Sequence, residues 1–131
     1  MIPLRFVILH HSLDSGEHWD LMLEQGDALA TWRLDRRPHS PADLPLPAIR
    51  LADHRSAYLT YEGEISRGRG RVRRVDEGQQ RMIRQSDVEW VFALAGRCLS
   101  GRFRLGHLEG ERWTFEVIPT EAATAQQTPD S

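Results

Sequence analysis

The 131-residue sequence predicts an all-β fold, an antiparallel barrel or sandwich, from three observations. Apolar and polar residues alternate at period two in many short runs and almost nowhere recur at helical spacing. Gly-containing breaks, Gln25-Gly26-Asp27, Asp76-Glu77-Gly78 and Glu109-Gly110-Glu111, fall between consecutive runs as hairpin turns do. The four tryptophans, Trp19, Trp32, Trp90 and Trp113, each lie inside such a run, where core packing is their default role.

In chain order the expected strands are Arg5–Leu9, His18–Glu24, Ala28–Leu34, Ala57–Ile65, Gly70–Val75, Gln80–Arg84, Val88–Ala93, Leu99–Leu105 and Trp113–Ile118. Pro38, Pro41, Pro45 and Pro47 make residues 35–48 a loop, with one helical turn at Ser40–Leu44, and Asp53 can open a further short turn. In the fourth run Tyr58, Thr60 and Glu62 would share one face and Leu59 and Tyr61 the other. Residues 1–119 are expected to form one domain. The stretch 120–131, rich in Ala, Thr and Gln and poor in core formers, is expected to be a disordered tail.

Composition excludes several chemistries. The 17 basic residues balance 19 acidic ones, so no global field announces a polyanion partner. Every basic residue is arginine, and the absence of lysine rules out lysyl-adenylate, Schiff-base and P-loop lysine chemistry. The single Cys98 cannot form an internal disulfide; it is expected to be buried and inert, in keeping with a reducing cytoplasm. No apolar run approaches a membrane span or a signal peptide, so a soluble cytoplasmic protein is expected.

The chemistry concentrates in His18-Trp19-Asp20-Leu21-Met22-Leu23-Glu24. On a strand, His18, Asp20, Met22 and Glu24 leave one face and Trp19, Leu21 and Leu23 the other. The imidazole and carboxylate are then about 6–7 Å apart at Cα. The preceding strand ends in His10-His11. Two imidazoles and a carboxylate converging from adjacent strands suit a divalent ion such as Mn²⁺ or Zn²⁺, although a surface histidine beside its aspartate partner has the same spacing. Arg67, Arg69, Arg71 and Arg73 recur at period two, which fits either a polyanion groove or a solvated face. Glu24 and Glu62 could orient histidine ligands or simply end strands in water.

Several blocks together resemble the 3′-phosphoesterase domain of the bacterial end-joining protein ligase D, and its small stand-alone relatives. They are Arg5-Phe6-Val7-Ile8-Leu9-His10, His18 to Glu24, Thr31-Trp32, Asp53-His54-Arg55-Ser56-Ala57-Tyr58, Tyr61-Glu62-Gly63, Gly68-Arg69-Gly70, Asp76-Glu77-Gly78 and Leu99-Ser100-Gly101-Arg102-Phe103 before Trp113. The resemblance implies a compact antiparallel β-barrel with a polar cavity, active with Mn²⁺ (Zn²⁺ as the alternative), that removes a terminal ribonucleoside or a 3′-phosphate from nucleic acid. It implies metal ligands His10, His18 and Asp20, with His11 open as a substitute because the segment before His18 is longer than usual. It further implies a catalytic His54 beside the scissile phosphate and a phosphate-contacting Tyr58, with Arg55, Arg69, Arg71 and Arg73 as candidate contacts to the nucleic acid. The expected partners are nucleic-acid 3′ ends and a separately encoded DNA ligase or polymerase, with no membrane, and the chain is expected to be a monomer. Two positions depart from the family pattern. Met22 stands where its enzymes usually have a phosphate-gripping arginine, and Ile8 where they tend to have glutamine. Arg33 and Arg55 are candidates to replace the missing arginine.

Overall fold

The structure, a computed structural model, describes residues 3–119; the expected tail at 120–131 lies outside them. Nine strands and two 3₁₀ turns follow in order: β1 (Leu4–Leu13), β2 (Gly16–Gln25), β3 (Ala28–Leu34), a turn at Pro41–Asp43, β4 (Leu46–Arg55), a turn at Ser56–Leu59, β5 (Gly63–Glu64), β6 (Arg71–Gln85), β7 (Glu89–Gly96), β8 (Ser100–Glu109) and β9 (Arg112–Ile118). Antiparallel pairing runs β1-β2-β3-β4-β9-β8-β7-β6, and a β1–β6 ladder joins the ends. The result is a closed eight-stranded barrel, with β5 as a short extra strand on the outer edge of β6. Closure removes the open sheet edge that would otherwise template aggregation.

Alternation fills the interior. Phe6 and Ile8 of β1, Leu21 and Leu23 of β2, Trp32 of β3, Phe92 of β7, Phe103 of β8 and Phe115 of β9 point inward and pack as one cluster. Trp90 and Trp113 meet Trp32 edge to face at 5.0 and 5.6 Å between ring centroids. The Arg50 guanidinium lies 4.4 Å from the Trp32 ring centroid and 5.2 Å from that of Trp90, a cation–π lid on this cluster. A smaller apolar cluster, Val7, Leu9, Met22, Leu29 and Val72, lies on the outside of the wall and is covered by Leu59 of the second 3₁₀ turn.

Three elements differ from the sequence expectation, each for a physical reason. Residues 46–55, expected as part of a loop and a short turn, form β4. The strand pairs with β9 over Leu46–Ile49 and with β3 over Ala48–Arg55, so Pro47 is paired on one side only, where proline is tolerated. The run 57–65 is not a long strand: Ser56–Leu59 turns so that Leu59 can plug the outer cluster. Asp76-Glu77-Gly78 is not a hairpin turn either. It lies inside the 15-residue β6. Its Asp76 is 2% exposed and accepts from the main-chain N–H groups of Glu77, Arg97, Cys98 and Leu99 at 2.8–3.0 Å, so the carboxylate is a clasp for the β7–β8 turn. At Gly78 a Cβ would overlap the Ala95 carbonyl, so glycine is required by the close crossing of β7.

The first 3₁₀ turn follows the sequence closely. Ser40 Oγ accepts from Ala42 N at 3.2 Å and Asp43 reaches back to Ser40 N at 3.3 Å, a capping box with Pro41 in the first turn. Cys98 is half-buried, its thiol 3.7 Å from the Val75 carbonyl. No helix among the described residues is long and apolar enough to cross a membrane.

Candidate metal centre and phosphate cleft

The β1–β2 hairpin decides which side chains meet. Its register sets His11 opposite His18, Leu9 opposite Asp20 and Val7 opposite Met22. Directly paired residues share a face of the sheet. His11, His18 and Asp20 therefore stand with Met22 on the outside of the wall, next to the apolar cluster under Leu59. His11 Nδ1 is 3.2 Å from His18 Nε2 and 3.8 Å from Asp20 Oδ2, and His18 Nε2 is 3.3 Å from Asp20 Oδ1. One donor atom from each residue lies within 4.8 Å of the other two.

The donor set fits a divalent cation. Asp20 is 2% exposed, and its Oδ1 is buried without a hydrogen-bond partner among the described residues. A buried carboxylate oxygen left unpaired costs about 1–3 kcal/mol or more, a cost that a cation at this point would remove. Two imidazole nitrogens complete a mixed N/O set suited to Mn²⁺ or Zn²⁺.

His10 is not in this group. It pairs with Trp19 on the opposite face, where its Nε2 bonds Glu17 Oε1 at 2.7 Å and its ring lies 5.1 Å from that of Trp19. The structure thus corrects the choice between the neighbouring imidazoles: His11 converges with His18 and Asp20, and His10 cannot reach them from the other side of the wall.

A cleft runs from this group to β4 and the second 3₁₀ turn, with His11, Asp20 and Met22 on one side and His54, Arg55 and Tyr58 on the other; Arg69 also lines it. His54 Nδ1 donates to the Ala52 carbonyl at 3.0 Å, leaving Nε2 as its exchangeable nitrogen. The Tyr58 ring packs edge-on to His54 at 5.7 Å. Arg69 is braced by its own turn, with Nε and Nη2 bonded to Ser66 O and Oγ at 2.9 and 3.1 Å. Arg55 makes no ion pair with a carboxylate among the described residues. The polar cavity therefore opens on the outer wall, while the barrel interior is packed solid.

The remaining candidates fall elsewhere. Arg71 and Arg73 pair with Ser12 and His10, which places them on the face away from the metal group, and Arg71 is bound to Glu64 at 3.3 Å. Arg67 and Arg69 sit in a turn ahead of β6, so the four arginines do not form one row. Glu24 holds the Arg5 main chain at 2.8 Å and Glu62 that of Arg74 at 2.8 Å, and neither touches a histidine of the site. Arg33 stands opposite Asp20 on β3, on the site's own face and exposed. One contributor was missed in the sequence: the Arg69 main-chain carbonyl, which accepts from His11 Nε2 at 2.7 Å. Only the glycines flanking Arg69 hint at so close an approach.

Fold and site together define a small closed antiparallel barrel carrying a two-histidine, one-aspartate cluster beside a histidine- and arginine-lined cleft. A family model described as the DNA ligase D 3′-phosphoesterase domain matches residues 9–107, and the chain belongs to that family. No curated protein matches the sequence.

Proposed function

We propose that this protein is a metal-dependent 3′-phosphoesterase that processes nucleic-acid 3′ ends in end joining, removing a 3′-terminal ribonucleoside or a 3′-phosphate. The observation that carries the reading is the buried Asp20 carboxylate, its Oδ1 without a hydrogen-bond partner among the described residues and its two oxygens 3.3 and 3.8 Å from imidazole nitrogens of His18 and His11, at the head of a cleft that also holds His54. His11, His18 and Asp20 would hold the ion, with Mn²⁺ the leading candidate and Zn²⁺ the alternative. When bound, it supplies Lewis-acid polarisation of a phosphoryl oxygen and activation of a water or neighbouring hydroxyl.

The protein's own groups do the rest. Arg55 and Arg69 neutralise and orient the phosphate, for which the guanidinium fork is suited. The Tyr58 hydroxyl donates to a phosphate oxygen. His54 keeps its Nδ1–H on the Ala52 carbonyl, which fixes the ring so that Nε2 holds or releases the proton at the leaving oxygen. Nucleic acid is the polymeric partner, and a DNA ligase or polymerase activity is the next in line.

A second reading rests on Met22. It is 1% exposed and packed with Val7, Leu9 and Leu59 at the position where the family's enzymes usually carry arginine. In that reading the barrel binds ends or docks a ligase without cleaving. Incubation with Mn²⁺ and a primer-template ending in one ribonucleotide or a 3′-phosphate separates the two. The enzyme reading expects trimming that vanishes with chelator and falls at least ~10²-fold in His18→Ala or His54→Ala. Salt-sensitive binding of the same DNA with no cleavage would establish the docking module instead.

A further inference from the structure

We propose that the turn Ser66–Gly70 is a positioning arm that fixes the tautomer of His11, and that Gly70 is the residue that lets the arm reach. The inference rests on the metal site of the proposed function. Its observations are independent of Met22 and of the arginine side chains of the cleft.

The arm is closed on itself by Ile65 N donating to the Gly70 carbonyl at 2.8 Å. It turns back through left-handed backbone, with Arg67 at φ 65°, Gly68 at φ 67° and Gly70 at φ 92°. Gly70 passes directly against β1. A Cβ there would overlap the Ser12 carbonyl oxygen and come within 3.1 Å of Leu13 Cγ and 3.2 Å of His11 Nε2. Real Cβ atoms do not tolerate the first of these contacts, so any side chain at position 70 must lift the arm off the strand. Gly68 is different: its left-handed φ strains an L-residue, but a Cβ there meets nothing within 4 Å.

What the close approach delivers is the neighbouring carbonyl. Arg69 O lies 2.7 Å from His11 Nε2. A carbonyl oxygen only accepts, so Nε2 must carry the hydrogen, and in the neutral ring Nδ1 is then a bare lone pair. That lone pair is the atom 3.2 Å from His18 Nε2 and 3.8 Å from Asp20 Oδ2. Metal-binding imidazoles need their second nitrogen engaged in this way to set ring orientation and tautomer. Here the partner is main chain, supplied by Arg69, a residue that also lines the cleft. No side-chain substitution at Arg69 removes the carbonyl; a substitution at Gly70 displaces it.

The test begins with the metal-free wild type. Long-range ¹H–¹⁵N correlation of the imidazoles, assigned with His11→Gln, should show His11 as a single Nε2–H tautomer. An Nδ1–H tautomer, or a rapidly exchanging mixture, would overturn the proposal with no variant needed. In Gly70→Ala, folded by circular dichroism, His11 should become a mixture and calorimetric Mn²⁺ affinity should fall about 10–100-fold, the usual loss for an outer hydrogen-bond partner of a ligand. Gly68→Ala should keep the wild-type tautomer. Unchanged tautomer and affinity in a folded Gly70→Ala would also refute the arm. The two ideas fail separately: a locked tautomer in a protein that binds no Mn²⁺ defeats the metal reading alone, whereas Mn²⁺ binding to an Nδ1–H His11 defeats the arm alone.

Discussion

The two faces of the β1–β2 hairpin are built from interleaved residues of the same two strands, yet they do opposite things. Inward, Phe6, Ile8, Leu21 and Leu23 join the aromatic interior, and beyond them His10, Trp19 and Glu17 make a self-satisfied group, with hydrogen bond and ring contact both internal to the hairpin. Outward, Val7, Leu9 and Met22 lie under Leu59, and beyond them His11, His18 and Asp20 form a group in which Asp20 Oδ1 has no hydrogen-bond partner among the described residues. The inner polar group is satisfied within the hairpin; the outer one keeps a buried carboxylate oxygen with no hydrogen-bond partner among the described residues. Because side chains alternate at period two, one residue of offset moves an imidazole from one role to the other.

The largest expected effect breaks the outer face while sparing the inner one. His11→Ala and His18→Ala should each abolish Mn²⁺ binding measured by calorimetry and lower 3′-end trimming at least ~10²-fold, whereas His10→Ala should leave both within about twofold. Equal losses for His10 and His11 would erase the distinction between the faces. Next in size is the inner clasp. Asp76→Ala strips the acceptor from the N–H groups of Arg97, Cys98 and Leu99 and should cost about 3 kcal/mol or more in urea denaturation, with Mn²⁺ affinity of the folded fraction unchanged.

Met22→Arg probes the boundary between the apolar and polar parts of the outer face. A guanidinium replacing a 1% exposed methionine disturbs the packing under Leu59 and should lower stability by about 1–3 kcal/mol. If its head group reaches the cleft, trimming should rise about 10-fold or more, as one well-placed phosphate donor contributes. A stability loss with no gain in trimming would show that Arg55 and Arg69 already meet the need for phosphate contact.

The smallest effect lies on the far wall, where charges are mutually satisfied. Glu89 bonds Arg104 at 2.6 Å and Arg84 at 3.1 Å, and these hydrogen bonds, Arg104 first, hold its carboxyl below the ordinary glutamate value. A lowered folded-state pKa contributes stability above the unfolded value and loses it as pH falls through the folded one. Glu89→Gln should therefore lower the melting temperature slightly at pH 7, with the gap to wild type closing in acid. A constant gap from pH 7 to pH 3 would show that the ion pair is irrelevant.

How much of this was legible in the sequence depends on whether a local pattern or a distant partner decides each element. β2, β3 and β9, and the capped turn after Ser40, follow their local signals almost residue for residue. β4 did not, because prolines and Asp53 mask a strand whose partners are staggered. β6 was split at Asp-Glu-Gly because turn composition there serves a clasp and a close crossing. His18 and Asp20 were legible from spacing, and His54, Arg55 and Tyr58 from motif. The choice of His11 was available too: counting outward from a two-residue turn at Asp14-Ser15 brings His11 opposite His18. The Arg69 carbonyl had no such signal, since its position depends on backbone meeting backbone.

The placement of the donor cluster on the outside of a closed wall sets how large a partner can be. An eight-stranded barrel is only wide enough for its own side chains, so an internal site would admit at most a small molecule. Against an external site, the diameter of the barrel imposes no ceiling. Under the proposed function, a duplex end could lie along the wall with its complementary strand still paired. The cleft beside the cluster is lined from the Ser56–Leu59 and Ser66–Gly70 turns by Tyr58 and Arg69. Selection can therefore tune substrate size by lengthening or trimming two short turns, without touching a single residue of the packed interior.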